Sequence, residues 1–381
     1  MLFLYGLMAC VSKIKPKNNC HTTEVDDMKH ITAQEMVSNM RIGWNLGDSL
    51  DVCNADRDHT GTLDEHAAVV DETLWGNVRT TKVLFDHLKT DGINAVRIPI
   101  TWRDHLGDAP TYEINSDWMN RIEQVVKYAY DNDLYVIVNV HHDGGGDPTF
   151  GAWIRSASNE ALKESVFAKF EAIWRQIADR FKNYNDKLIF ESLNEVGFDD
   201  VNDEVAYPIL DELNQRFVNI VRASDGNNPQ RHLMIAGYWT DIVKTTSELY
   251  HMPTDNIDHH LILSIHYYTP WQFCVTNKQR FWGSPEEVTQ MEELVNLIYH
   301  HFVAKGTPVI MGEYGFGQND PASTVFFSEM FVKLCHNLGI GTFLWDNGDQ
   351  YDRTNMYWYN PELIAALQRA TSGEDYTVTK K

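Results

Sequence analysis

Short apolar runs alternate with long amphipathic ones over most of this chain. The short runs are RIGWNLG (41–47), NAVRIPI (94–100), LYVIVNVHH (134–142), KLIFESLNE (187–195), HLMIAGY (232–238), HLILSIHYY (260–268), PVIMGEY (308–314) and GTFLWDN (341–347). They are too apolar to leave either face in water, the mark of strands covered on both sides. Between them, TTKVLFDHLKTDG, SDWMNRIEQVVKYAYDND, the stretch from Asn159 to Asn183 and EEVTQMEELVNLIYHHFVAKG predict helices. In the second of these, Met119, Ile122, Val125, Val126 and Ala129 recur at the i, i+3, i+4 spacing of a one-sided helix. Gly92 and Gly306 follow helix ends, where a left-handed capping residue belongs. Eight strand-then-helix units in series predict an α/β fold, a closed parallel (β/α)8 TIM barrel rather than an open doubly wound sheet.

No linker or repeat divides this run, so residues 28–371 are expected to form one domain. Residues 1–27 read as a leader and polar tether, and 372–381 (SGEDYTVTKK) as a frayed tail. The opening MLFLYGLMAC is apolar and ends Leu7-Met8-Ala9-Cys10, which resembles a lipoprotein cleavage box. It predicts export, with Cys10 as a candidate lipid anchor. Nothing later reaches the ~18 apolar residues of a membrane helix.

Composition narrows the partners. A formal charge of −22 argues against nucleic acid or an anionic membrane and suits a neutral ligand. Eleven Trp and seventeen Tyr supply many large aromatic faces, which grip sugar rings well. Five cysteines, at 10, 20, 53, 274 and 335, are too scattered for a disulfide framework or a metal finger. No cofactor is implied, and a monomer is expected.

In a parallel barrel the C-terminal strand ends share one rim, where chemistry is kept. Here those ends are polar almost throughout: Asn45, Arg97, His141-His142, Asn194-Glu195, His266 to Tyr268, Glu313 and Trp345. A single one could be a satisfied buried polar group; placed together, they predict a site. Glu195 and Glu313 each end an apolar strand, and two carboxylates across a rim are the minimum for cleaving a glycosidic bond. His141-His142 also suggests metal, but neighbours in a strand point to opposite faces, so the pair should not converge on an ion. Trp75, Trp153 and Trp271 fall in rim-side loops and are candidates for stacking on substrate. His59, His66, His300 and His301 have no such context.

In order and spacing, GWNLGDSLD, VRIPITW, VNVHHD, FESLNE, SIHYYTP, VIMGEYG and FLWDNG resemble glycoside hydrolase family 5. The segment ETLWGN (Glu72 to Asn77) and the WDNG ending resemble its subfamily 4, the endoglucanase and xyloglucanase branch. The match runs from about Gly43 to Gly348. The resemblance implies a metal-free barrel that hydrolyses β-glycans with retention, Glu195 as acid/base and Glu313 as nucleophile. It implies Arg97, His141, Asn194, His266, Tyr268 and Trp345 as the supporting shell. Asp48, where the family commonly has Asn, and Val196, where it commonly has Pro, depart from the pattern. The implied activity is endo-β-1,4-glucanase on cellulose chains, mixed-linkage glucan or xyloglucan. A β-mannanase or xylanase on the same scaffold, or a non-catalytic glycan-binding barrel, are the alternatives.

Overall fold

A computed structural model describes residues 26–55, 70–144 and 152–380. The leader with Cys10 and Cys20, His59, His66 and residues 145–147 of the glycine loop lie outside the described residues. The eight expected strands are present: β1 (Gly43–Asn45), β2 (Ala95–Ile98), β3 (Tyr135–Asn139), β4 (Leu188–Glu191), β5 (Leu233–Ala236), β6 (Leu261–Tyr267), β7 (Val309–Tyr314) and β8 (Gly341–Leu344). They pair in sequence order and β1 pairs with β8, closing a parallel barrel. The helices that cover it include α2 (Lys82–Thr90), α3 (Ser116–Tyr130), α4 (Lys163–Phe181), α5 (Asp203–Arg222), the short α6 (Ile242–Thr245), α8 (Pro285–His301), α9 (Pro321–Asn337) and α10 (Pro361–Ala370). Every residue of the one-sided pattern in α3 is buried. Gly92 and Gly306 both take φ of +94°, the left-handed geometry expected of them.

The side-chain period of two sorts the barrel interior into layers. Ala95, Ile137, Ile189, Ile262 and Ile310 form an apolar floor with Met234 and Phe343. Two residues further along their strands stand Arg97, Asn139, Glu191, Ser264 and Gly312. The floor is closed from below by α1 (Ala33–Asn39), whose Ala33, Met36 and Val37, with Met40 beyond its end, pack on it. Thr32 and Glu35 start that helix with a reciprocal capping box. The interior is thus dry at one end and polar at the other.

Two terminal segments are strapped to this body. Asp26 donates its N–H to Asn183 O, Lys29 donates to Asp186 Oδ1, and His232 Nε2 holds Ile31 O at 2.9 Å. The C-terminal tail is not frayed. Tyr376 donates to Glu329 Oε1 at 2.9 Å, the Lys333 ammonium lies 3.7 Å from the Tyr376 ring, and Lys380 reaches Trp282 O and Ser323 Oγ at 2.7 Å. A small hairpin, β9 (Tyr351–Asp352) and β10 (Tyr357–Trp358), also intervenes between β8 and α10. Its Arg353 anchors it to the loop after β1 through Gly47 O and Ser49 Oγ, both at 2.9 Å.

His232 is 1% exposed and stacks on His260. Burial pulls its pKa from 6.5 down to about 3, with the charge of a protonated His260 adding to the effect. The native state keeps it neutral while the unfolded chain protonates it below about 6.5, so stability falls as pH drops from 6.5 toward 3. His232→Gln retains a donor for Ile31 O and removes the titration. Its urea midpoint is expected to fall less steeply than the parent's between pH 7 and 4; parallel curves would show that His232 carries none of the acid sensitivity.

Candidate active site

The polar end of the barrel is organised around one guanidinium. Arg97, on β2, has no solvent exposure, and each nitrogen of its fork is hydrogen-bonded. Its Nε donates to Glu191 Oε2 at 2.6 Å, Nη1 to Glu313 Oε1 at 2.7 Å and to Asn45 Oδ1 at 3.1 Å, and Nη2 to Asn194 Oδ1 at 2.9 Å. Burial alone would lower its pKa, but the charges of Glu191 and Glu313 outweigh this and hold it above the ordinary value.

Glu313 stands near the end of β7, where the ladder with β6 is irregular just past Ile265. The irregularity brings His266 opposite Glu313 in the register, a common use of a bulge beside a site. Glu313 is 5% exposed; Oε1 takes the Arg97 hydrogen bond and Oε2 accepts from the Tyr268 hydroxyl at 2.9 Å. Burial and the Glu313 charge hold the Tyr268 phenol protonated, well above its usual range. Glu195 lies beyond the last ladder residue of β4 with its side chain 30% exposed. Its Oε1 is 2.7 Å from His266 Nδ1, which is also 3.6 Å from Glu313 Oε2. Oxygens of the two carboxylates approach within 4.8 Å of each other.

The remaining predicted residues divide by position. Asn45 is fully buried, and its amide is spent on Arg97 and on the carbonyls of Gly312, Phe343 and Leu344. It and Arg97 therefore act through other side chains rather than on a ligand. Asn194 has its Oδ1 fixed by Arg97, and its Nδ2 donates to no side chain or carbonyl among the described residues. His141 lies parallel to Trp345 at 6.0 Å, with Nδ1 beside Asn139 Nδ2. Its own burial, with the charges of its cationic neighbours adding, keeps it neutral. Trp345 lies so close over Gly47 that a Cβ there would be 2.7 Å from its Cζ2, so only glycine fits beneath it.

His141 and His142 do not diverge as a strand would require. Both lie beyond the end of β3, free of the pleat, and their rings meet edge-on at 4.5 Å. With Asp51 they form a group whose potential ligand atoms lie within 4.8 Å; Glu195, His266 and Glu313 form a second. Asp51 already accepts the N–H groups of Asp48 and Ser49, and burial with the Asp48 charge pushes its carboxyl up to about 7.

Of the loop tryptophans, Trp75 packs against His142 at 5.6 Å on the rim. Trp271 begins α7 (Trp271–Cys274) with 56% of its surface exposed. Trp153 is tied down, donating to the buried Asp143 at 2.6 Å with Lys169 4.2 Å from its ring centre. Asp48 holds φ at +51° and is half-buried, while Val196 is fully buried and its carbonyl accepts from Trp239.

Three site residues are not singled out by the rim pattern: Glu191, Asn139 and Ser264. Glu191 accepts from Asn139 Nδ2 at 3.1 Å and from Ser264 Oγ at 2.7 Å besides Arg97. The available signal is parity, since each falls two residues beyond a floor isoleucine on its strand.

Known proteins carry the same arrangement of sequence and fold. The family model described as Cellulase (glycosyl hydrolase family 5) matches residues 56–351. Endoglucanase B of Paenibacillus lautus is 37% identical over 361 residues, covering 91% of this chain, which spans 59% of that protein's length. Endoglucanase B of Clostridium cellulovorans is 35% identical over 370 residues, covering 91% of this chain and 78% of that protein. A broad-specificity subfamily 4 endoglucanase from Ruminococcus champanellensis, solved with bound cellotriose, superposes with a TM-score of 0.80 at 34% identity, over 90% of this chain and 99% of that one. The (β/α)8 barrel, the paired glutamates at its rim and these relatives together place the chain in glycoside hydrolase family 5.

Proposed function

We propose that this protein is a retaining endo-β-1,4-glucanase that hydrolyses β-glucan chains. The observation that carries the reading is the pair of glutamates whose oxygens approach within 4.8 Å, one held by Arg97 and Tyr268 and the other partly open to solvent. Retaining glycosidases need carboxyls about 5 Å apart, whereas inverting ones leave ~6.5 Å or more for a water. The relatives named as endoglucanases and the cellotriose bound to one of them support glucan as substrate.

Glu313 is fixed by two donors, so its lone pair is aimed without reorganisation at the anomeric carbon. It attacks while Glu195 gives its proton to the departing glycosidic oxygen. The Glu313 oxygen is then esterified to the sugar and the aglycone leaves. Glu195, now ionised, takes a proton from water, whose oxygen displaces Glu313 and restores both carboxyls. In this reading Asn194 Nδ2 donates to the sugar 2-hydroxyl, and Trp345, stacked parallel to His141, is the apolar platform under the reacting ring. Trp75, beside His142, and the exposed Trp271, after β6, are the aromatic faces offered to further sugar rings of a chain. A polymer of this size is met outside a cell, in keeping with the export expected from the leader.

Glu313→Gln is expected to abolish reducing-sugar release from barley β-glucan and carboxymethylcellulose; near-normal turnover would remove Glu313 as nucleophile. Glu195→Gln is expected to lower turnover of natural glucan by roughly 10²- to 10⁴-fold, the usual reach of general acid catalysis. Bond cleavage in a dinitrophenyl cellobioside, whose leaving group needs no proton, should be far less affected. Equal damage to both substrates would assign Glu195 another role. Trp271→Ala should raise KM for long cello-oligosaccharides and spare the short ones; an unchanged KM would make it a surface residue only.

A further inference from the structure

We propose that Glu191 is a positioning residue that serves as the permanent counter-ion of Arg97, so that the buried guanidinium keeps a partner while Glu313 loses and regains its charge. This rests on the double-displacement reading above.

Glu191 cannot touch a ligand: its side chain has no solvent exposure, on the layer just above the apolar floor. It sits against Arg97 Nε at 2.6 Å, opposite the Nη1 that holds Glu313 at 2.7 Å. Asn139 and Ser264 supply its other hydrogen bonds. Arg97 is therefore shared by two carboxylates, and only one of them reacts. The charges of both carboxylates hold Arg97 protonated against the effect of its burial.

The consequence follows from the bonds made and broken. When the Glu313 oxygen bonds to the anomeric carbon it becomes a neutral ester, and the proton of Glu195 leaves with the aglycone. The new carboxylate charge on Glu195 is bonded to His266 and not to Arg97, so an Arg97 paired with Glu313 alone would then be a buried cation with no carboxylate hydrogen-bonded to it, which is costly. With Glu191 in place, a neutral ion pair remains throughout the life of the intermediate. Before that step the same sharing keeps the full Arg97 charge from falling on Glu313, where it would blunt the nucleophile.

The two steps should therefore respond to loss of the Glu191 charge in opposite directions. Glu191→Gln is nearly isosteric: its carbonyl can accept from Arg97 and Asn139, and its amide can donate to the Ser264 hydroxyl. In that variant, kcat/KM for a dinitrophenyl cellobioside, which reports formation of the glycosyl-enzyme, is expected to fall roughly 10-fold or more. Reactivation of the 2-deoxy-2-fluoro-cellobiosyl enzyme by water, which restores a carboxylate to Arg97, is expected to speed up severalfold. If thermal melting shows that Glu191→Gln does not fold, Glu191→Asp, which withdraws the charge by one methylene, should show the same opposed pair of changes at smaller size. Slowing of both steps in parallel, or neither step moving, would overturn the inference and leave the glucanase reading intact. Failure of the parent protein to form any covalent glycosyl-enzyme would overturn both.

Discussion

A cation with no access to water sits at the centre of this barrel, and the geometry of the site hangs from it. Arg97 orients Glu313, Asn194, Asn45 and Glu191 at once, drawing together β1, β7 and both the end of β4 and the segment just beyond it. An arginine suits this position because its planar fork offers several donors in fixed directions, which a lysine does not. Burial makes each bond stronger and also makes the arrangement unforgiving, since a displaced partner would leave charge in a poorly polarisable interior. The site is thus held rigid before any ligand arrives.

The barrel makes this possible by separating its two ends. Helix α1 and the isoleucine layer seal one mouth, so water does not reach the guanidinium from below. Above that layer the same strands continue, and on β2, β3, β4 and β6 the next inward position carries a polar group: Arg97, Asn139, Glu191 and Ser264. Glu195, the proposed acid/base, is placed differently. It stands outside the ladder, 30% exposed, where it can exchange protons with leaving group and water. One glutamate is locked and the other is reachable, as double displacement requires.

Much of this was legible in the residues. The order of the strands, the face of α3, the two left-handed glycines and the rim placement of Glu195 and Glu313 follow from periodicity and from strand ends that stop at a carboxylate. The buried polar layer was less legible, because Glu191 lies within LIFE, where an apolar strand leaves no local mark to separate a core carboxylate from a rim one. Only closure of the barrel sets it beside Arg97. The edge-on contact of His141 and His142 was misread for a physical reason: strand alternation ends where the ladder ends, and both residues lie past it. The docked tail depends on Glu329 and on Lys333, whose ammonium faces the Tyr376 ring, in a helix distant in sequence, and composition does not reveal such pairing.

The most direct test of the account is the configuration of the first product released. Proton NMR of a fresh digest of a cello-oligosaccharide, recorded before mutarotation, distinguishes the two anomers. Two displacements at neighbouring carboxylates predict the β-anomer first, with the α-anomer growing in later. The α-anomer appearing first would mean a single displacement by water, and Glu313 would not be the nucleophile that Arg97 and Tyr268 are arranged to hold.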